Sequence, residues 1–521
     1  MKKLALALIT LSLMFTCTAC GSKDSGGQTT VTDPASTVLN VEVTTAPVGL
    51  HPLKTNDAAS TYVTAQIYET LYRRTDDGKE FVPCLASDFP EYSDDGLTAI
   101  IPLREGVTFS DGTPFTADAV AYVFDCMKDQ SYGAQRPSIV ESIESYEVVD
   151  DHHIKLHLAY QDGVLVAKLA HTNGSIVNPA KDKENDLLVN PEGAGTGAYK
   201  YVSSVSGSTY TLEANENYWG GAPEVKTVNV AVVGDEATAV ARLQTGEADF
   251  YPTVAVDSFE TLKNSAGVKA ESMESSAVGY MALRSSEAEA KNPLMANKDF
   301  RKAVLEAVDT DTFVASVMGT QGETLKSIIA PSLVGYTKAM EDSFIGYNPE
   351  DAKKVIEENG WTGQTVTMLV PTRDLQQTFA AYVQSQLQAV GLNVEIVSEE
   401  WASFLTSAKG SKNFDMIMLS WSNVTGDGEQ MLNPNFSSKN GVRVKYNNPE
   451  FDAEVTASGQ TTVLAEREAH MLKAVEIIQG DAVVKPIFTQ NSLYAYNSNK
   501  VASANFAVET LFHIKDFKLV K

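Results

Sequence analysis

Three histidines, His152, His153 and His157, stand close together, and imidazoles are common metal ligands. On a strand, His153 and His157 project to one face. Extended chain still holds them roughly 13 Å apart, too far to share a zinc ion without a bend. No cysteine stands nearby, so residues 151–157 read as an edge strand and no metal site is expected. The chain contains no Gly-x-Ser-x-Gly elbow, no His-Glu-x-x-His helix and no Walker-type loop. These patterns give no support to an enzyme and none to a cofactor. Ligand capture is better supported, because aromatic groups beside acids and amides at a strand end are its physical signature. Residues 415–429 read as a buried strand delivering Trp421, Ser422 and Asn423, then a polar loop carrying Asp427. A second candidate opens the helix after strand 366–370. There Thr372, Arg373 and Gln376 would let a ligand carboxylate meet both a guanidinium and a helix N-terminus.

The elements that must position these residues are legible from periodicity. Leu39, Val41 and Val43 alternate with polar residues as in a half-buried strand. Asp57 can cap a helix whose Ala59, Val63, Ile67 and Leu71 share one face. Residues 94–96 and 110–114 are turn clusters, and Thr116 offers a cap hydroxyl to the helix that follows. Strands dominate 143–160 and 198–232, and helix 235–246 ends at Gly246. Beyond about residue 275, helices and strands alternate as in a parallel-sheet lobe. Strand 366–370, a helix with Phe379, Val383 and Leu387 on one stripe, and a strand from Leu392 make one βαβ unit.

With 521 residues the chain is long enough for more than one core, and two lobes or more are expected. A formal charge of −26 argues against nucleic acid and against lying flat on an anionic membrane. Met1-Lys2-Lys3 and the apolar run 4–15 read as a signal peptide, too short to span a bilayer. It ends in Cys17-Thr18-Ala19-Cys20-Gly21-Ser22, which looks like a bacterial lipobox with Cys20 as the lipidated residue. Residues 21–36 are Gly/Ser/Thr-rich and read as a leash. Only Cys84 and Cys126 remain beyond it, as one disulfide or two buried thiols.

Residues 82–125, from Val-Pro-Cys-Leu-Ala-Ser-Asp to Phe-Ser-Asp-Gly-Thr-Pro-Phe-Thr-Ala-Asp-Ala-Val, resemble the hallmark segment of the peptide/nickel-type (family 5) solute-binding proteins of ABC importers. Gly195-Thr196-Gly197-Ala198-Tyr199 and Tyr218-Trp219-Gly220-Gly221 are similar to two further motifs of that family. So are helix 298–308 and the segments 347–354 and 446–452, and the resemblance spans 37–515.

The resemblance implies an α/β, two-lobed periplasmic-binding-protein-like fold of the large peptide-binding type, with mixed sheets and a hinge. Its expected divisions are a signal peptide at 1–19, the lipidated cysteine and linker at 20–36, lobe I at 37–275 with an insertion at about 76–190, lobe II at 276–486, and a return to lobe I at 487–521. The implied role is a monomeric, extracytoplasmic, lipid-anchored receptor. It would capture peptides or peptide-like solutes by hinge closure and deliver them to a permease and its ATPase. A nickel-chelate, glutathione or oligosaccharide receptor, or a sensory lipoprotein, is the alternative. In peptide-binding relatives the loop after the Trp421 strand lines the cleft, and an Asp three residues on takes the ligand amine. Here that position is Val424, and Asp427 is the nearest acid. The resemblance also points to Leu50 and His51 after the first strand, and to Tyr280 and Arg284 on the strand crossing between lobes.

Overall fold

A computed structural model describes residues 37–508 and 511–521. The expected signal peptide, Cys20 and the leash lie outside the described residues. No helix among those described is long and apolar enough to cross a membrane.

Among the described residues, eleven strands join in one mixed sheet. One end carries the βαβ unit. Thr365–Pro371 and Asn393–Glu399 pair in parallel, joined by the helix Asp374–Ala389. Phe379, Val383 and Leu387 are fully buried under it, each contributing about 1.5–3 kcal/mol relative to exposure. The other end carries Val38–Val43, parallel to Thr227–Val232, followed by the antiparallel strands Thr209–Ala214 and Tyr199–Val205. Between the two ends run two long antiparallel strands, Val268–Leu283 and Val484–Asn497.

The two-lobed form follows from how the apolar residues gather. One core draws on residues from 39 to 250 and again from 494 to 519, and two others lie between 278 and 488. The long strand Val268–Leu283 contributes to both sides: Ala270 packs on a small core under the first lobe, and Met281 and Leu283 lie in the second.

Two details differ from the sequence reading. The strand His153–Leu158 is interior, held between Thr98–Pro102 and Ile143–Asp150 in a four-stranded sheet. Its buried Ile154, Leu156 and Leu158 fix one face to the core, and both its edges are hydrogen-bonded. Thr116 occupies the cap position of the helix Ala117–Lys128 but makes no side-chain cap bond. The Ala117 N–H instead donates to the Asp151 carbonyl at 2.9 Å, so the hairpin turn caps the helix. Asp57 does cap its helix, Ala58–Ile67, accepting from the Ser60 N–H at 2.9 Å. Cys84 and Cys126 are both free and buried.

The motifs that carry much of the resemblance meet around one acid. Glu69 accepts from the Tyr218 hydroxyl at 2.7 Å, the Trp219 indole at 2.9 Å and the Thr196 hydroxyl at 2.8 Å. Burial raises its carboxyl pKa, and these donors oppose the rise. Beside it, Gly195 packs on the end of the helix Ala58–Ile67, where a Cβ would overlap the Ile67 carbonyl. The Gly-Thr-Gly and Tyr-Trp-Gly-Gly segments thus build the first lobe and hold its helix.

Among the described residues, two hydrogen bonds join the lobes away from the long strands. The Gly163 N–H donates to the Gly459 carbonyl at 2.8 Å. Nη2 of Arg74 donates to the Ser332 carbonyl at 2.5 Å.

Candidate functional site

A cavity of ≈ 400 Å³ lies where the two lobes face one another, within the usual range for small-molecule sites. Its wall on the first lobe is the start of the helix Ala58–Ile67, with Asn56, Asp57 and Thr61, together with Arg136 and the segment Ala170 to Asn173. The opposite wall is made by Ser275, Ser276 and Ala277 and by the loop Ser422 to Thr425. Leu511 closes one side.

The second wall has a specific origin. Along the long strands, Glu274 faces Asn491 and the next pair is Val278 with Thr489. Three residues, Ser275 to Ala277, therefore stand opposite Gln490 alone, and the strand bulges into the cavity. Ala277 pairs on its other side with Ser422, which ends the strand Met416–Ser422. Asn423 ties bulge and loop together. Its N–H donates to the Ser276 carbonyl at 3.3 Å, and its side chain takes the Gly426 N–H at 2.9 Å and gives to the Asp427 carbonyl at 2.7 Å.

Of the residues singled out from the sequence, Ser422 and Asn423 line this cavity. Trp421 points to the other side of its strand, half-buried against the second lobe's core, with the Arg443 guanidinium 5.8 Å from its ring. Asp427 is fully buried and accepts from Arg467 at 2.7 Å and from the Glu429 N–H at 3.0 Å. The Arg284 guanidinium is likewise consumed, donating to the carbonyls of Glu289, Ala408 and Arg443. Its Nε is buried with no partner, and the fully buried cation braces loops away from the cavity. Tyr280 is buried with its hydroxyl on Asn435 at 2.9 Å. Leu50 is buried and its N–H donates to Leu188. His51 accepts the Leu53 N–H at Nδ1, so Nε2 carries the proton toward Tyr132 at 2.8 Å and Asp182 at 3.1 Å. Burial alone would raise the Asp182 pKa, but hydrogen bonds from His51, Tyr132 and Tyr122 hold it down at about 2. Arg373 is exposed and stacks on Trp401 at 4.1 Å, and Gln376 is buried on its helix.

Sequence reasoning did not reach Arg136, His171, Asn173 or the serines of the bulge. Asp57 was read as a cap, and it lines the cavity as well. Its Oδ1 holds Ser60, and its Oδ2 is buried with no partner. The charged side chains on the lining are Asp57 and Arg136. The rest of the polar surface is the His171 imidazole with hydroxyl, amide and backbone groups, suited to a ligand with many hydrogen-bonding groups. Among the described residues, no group of three or more His, Cys, Asp or Glu could hold a metal ion.

A smaller cavity of ≈ 160 Å³ continues past Arg136, His171 and Thr425 to Glu429 and Lys168. Burial, with the Asp427 charge beside it, pushes the Glu429 carboxyl up to about 7, against a hydrogen bond from Asn433 and the Arg467 cation. The folded protein therefore holds this proton more tightly than the unfolded chain. The stabilisation is complete below the ordinary value of 4.5 and is lost as pH rises to about 7. The span is worth roughly 3 kcal/mol. We expect urea denaturation at pH 5 and pH 8 to show this loss in the wild type and not in Glu429→Gln. An equal pH dependence in both proteins rules it out.

The model of "Bacterial extracellular solute-binding proteins, family 5 Middle" matches residues 80–442. The chain is 27% identical over 432 residues to the oligopeptide-binding protein AppA of Bacillus subtilis (strain 168), covering 78% of this chain and 77% of that one. It is 24% identical over 484 residues to the glutathione-binding protein GsiB of Pectobacterium atrosepticum, covering 91% and 92% respectively. Among solved structures, HbpA2 from Haemophilus parasuis superposes with a TM-score of 0.84 at 22% identity, over 93% of this chain and 100% of that one. The inter-lobe cavity is thus set in a shared fold, and the chain belongs to the bacterial extracellular solute-binding proteins of family 5.

Proposed function

We propose that this protein is the receptor of an ABC importer, capturing a peptide or peptide-like solute between its lobes and passing it to a permease and ATPase. The observation that carries this reading is the cavity itself. It is walled by both lobes, lined by hydroxyls, amides, backbone and one imidazole, and holds one charge of each sign. Backbone groups on the bulge and loop would bind a peptide main chain without regard to sequence, as strand addition does elsewhere. Names of relatives that bind oligopeptides and glutathione support the same class.

In this reading lobe I comprises residues 37–275 and 487–521, with the insertion at about 76–190, and lobe II comprises 276–486. Solute binding favours the state in which the lobes meet. The protein acts as a monomer outside the cytoplasm, held to the membrane by a lipid on Cys20, and it catalyses no reaction. Mass spectrometry of the small molecules released on denaturing purified protein tests the reading. Short peptides or glutathione are expected. A nickel chelate or an oligosaccharide as the sole cargo overturns it.

A further inference from the structure

We propose that Arg136 and His171 together receive a carboxylate group of the bound solute, at the junction of the main cavity with the smaller one beyond it. This rests on the reading above and narrows it to peptide-like solutes bearing a free carboxylate.

Both side chains line both cavities. Nε and Nη2 of Arg136 share one acceptor, the Asn56 amide oxygen, at 3.3 and 3.2 Å. Among the described residues, no carboxylate lies within 4.0 Å of the guanidinium and Nη1 has no hydrogen-bond partner. Acids outnumber lysines and arginines in this chain by 67 to 41, so a half-buried arginine with no acid beside it among the described residues is out of pattern. Arginine stays charged and its planar fork matches a carboxylate. An anionic guest is the missing partner.

His171 adds a donor of a different kind. Its Nδ1 accepts the Asn173 N–H at 3.1 Å, which fixes the proton on Nε2. Among the described residues Nε2 has no acceptor. Burial, with the Arg136 cation nearby, holds the imidazole down at about 4, so near neutrality it is an uncharged N–H. One cation beside one neutral donor suits a singly charged oxyanion. The neighbouring cation Lys168 is already matched, to Asp162 at 2.8 Å and Glu141 at 3.5 Å. Glu141 and Glu429 line the smaller cavity, the latter partly ionised near neutrality, and together they disfavour an anion placed deeper. The carboxylate is therefore confined to the junction.

The test uses native mass spectrometry with three tripeptide libraries: free C-termini, amidated C-termini, and amidated C-termini with one Asp or Glu. Wild-type protein is expected to prefer the first over the second at least tenfold. Recovery of binding by the third assigns the subsite to a side-chain carboxylate, and its failure to recover assigns it to the C-terminus. Arg136→Gln should weaken free-C-terminus peptides at least about tenfold more than amidated ones, and Arg136→Lys should keep part of the preference. Equal binding of free and amidated peptides overturns the proposal alone, as does an Arg136→Gln loss that is the same for both. Capture of no peptide of any library fails the functional reading and takes the proposal with it.

Discussion

Gly163→Val is expected to weaken solute capture at least about tenfold, roughly 1.4 kcal/mol, while each lobe stays folded. The backbone of Gly163 does not occupy the left-handed region, so a side chain there strains nothing locally. The obstacle is across the gap. A Cβ on Gly163 would sit well inside van der Waals distance of the Thr461 carbonyl oxygen, beside the hydrogen bond from the Gly163 N–H to Gly459. The penalty exists only when the lobes meet, so it falls on the state that holds the solute. Neither residue lines the cavity, which separates this effect from lost ligand contact. Occupancy by the co-purifying solute, read by native mass spectrometry, checks it, with small-angle scattering reporting the wider separation of lobes. Wild-type occupancy in the variant would show that this contact is no part of the solute-holding state.

Arg467→Met is expected to cost about 3–5 kcal/mol of stability, the usual penalty for stranding a buried charge. Arg467 is 5% exposed, and it donates to Asp427 at 2.7 Å and to the Ser458 carbonyl at 2.8 Å. Removing it leaves Asp427 fully buried without its ion-pair partner, with Glu429 close by. The double variant Arg467→Met with Asp427→Asn should recover part of the loss, because the stranded charge is gone. Urea denaturation of the three proteins measures both effects. A single-variant loss below about 1 kcal/mol, the range of exposed pairs, would mean that water already shields the pair.

Local patterns made much of the fold readable. The stripe Phe379, Val383 and Leu387 and the cap at Asp57 need only neighbours in sequence, and both stand where periodicity and chemistry put them. The interior position of His153–Leu158 was not readable, because alternation fixes which face is buried and says nothing of how many strands flank it. The site was reached only at Ser422 and Asn423. Its other walls come from segments far apart in the chain, and no spacing links Arg136 to Ser276. Arg284 shows the converse. A lone arginine at the end of a crossing strand has the chemistry of a ligand contact, but the carbonyls of Glu289, Ala408 and Arg443 take its two terminal nitrogens. The motifs around Glu69 were recognisable without revealing that they serve the scaffold.

The bulge at Ser275 to Ala277 lies on a strand whose two ends are anchored in different lobes. A solute resting on it therefore leans on the axle of the machine as well as on its wall. Departure of the solute and a rotation of the lobes would then be coupled through this strand. Two solutes of equal affinity would be delivered at different speeds if only one of them pressed on the bulge.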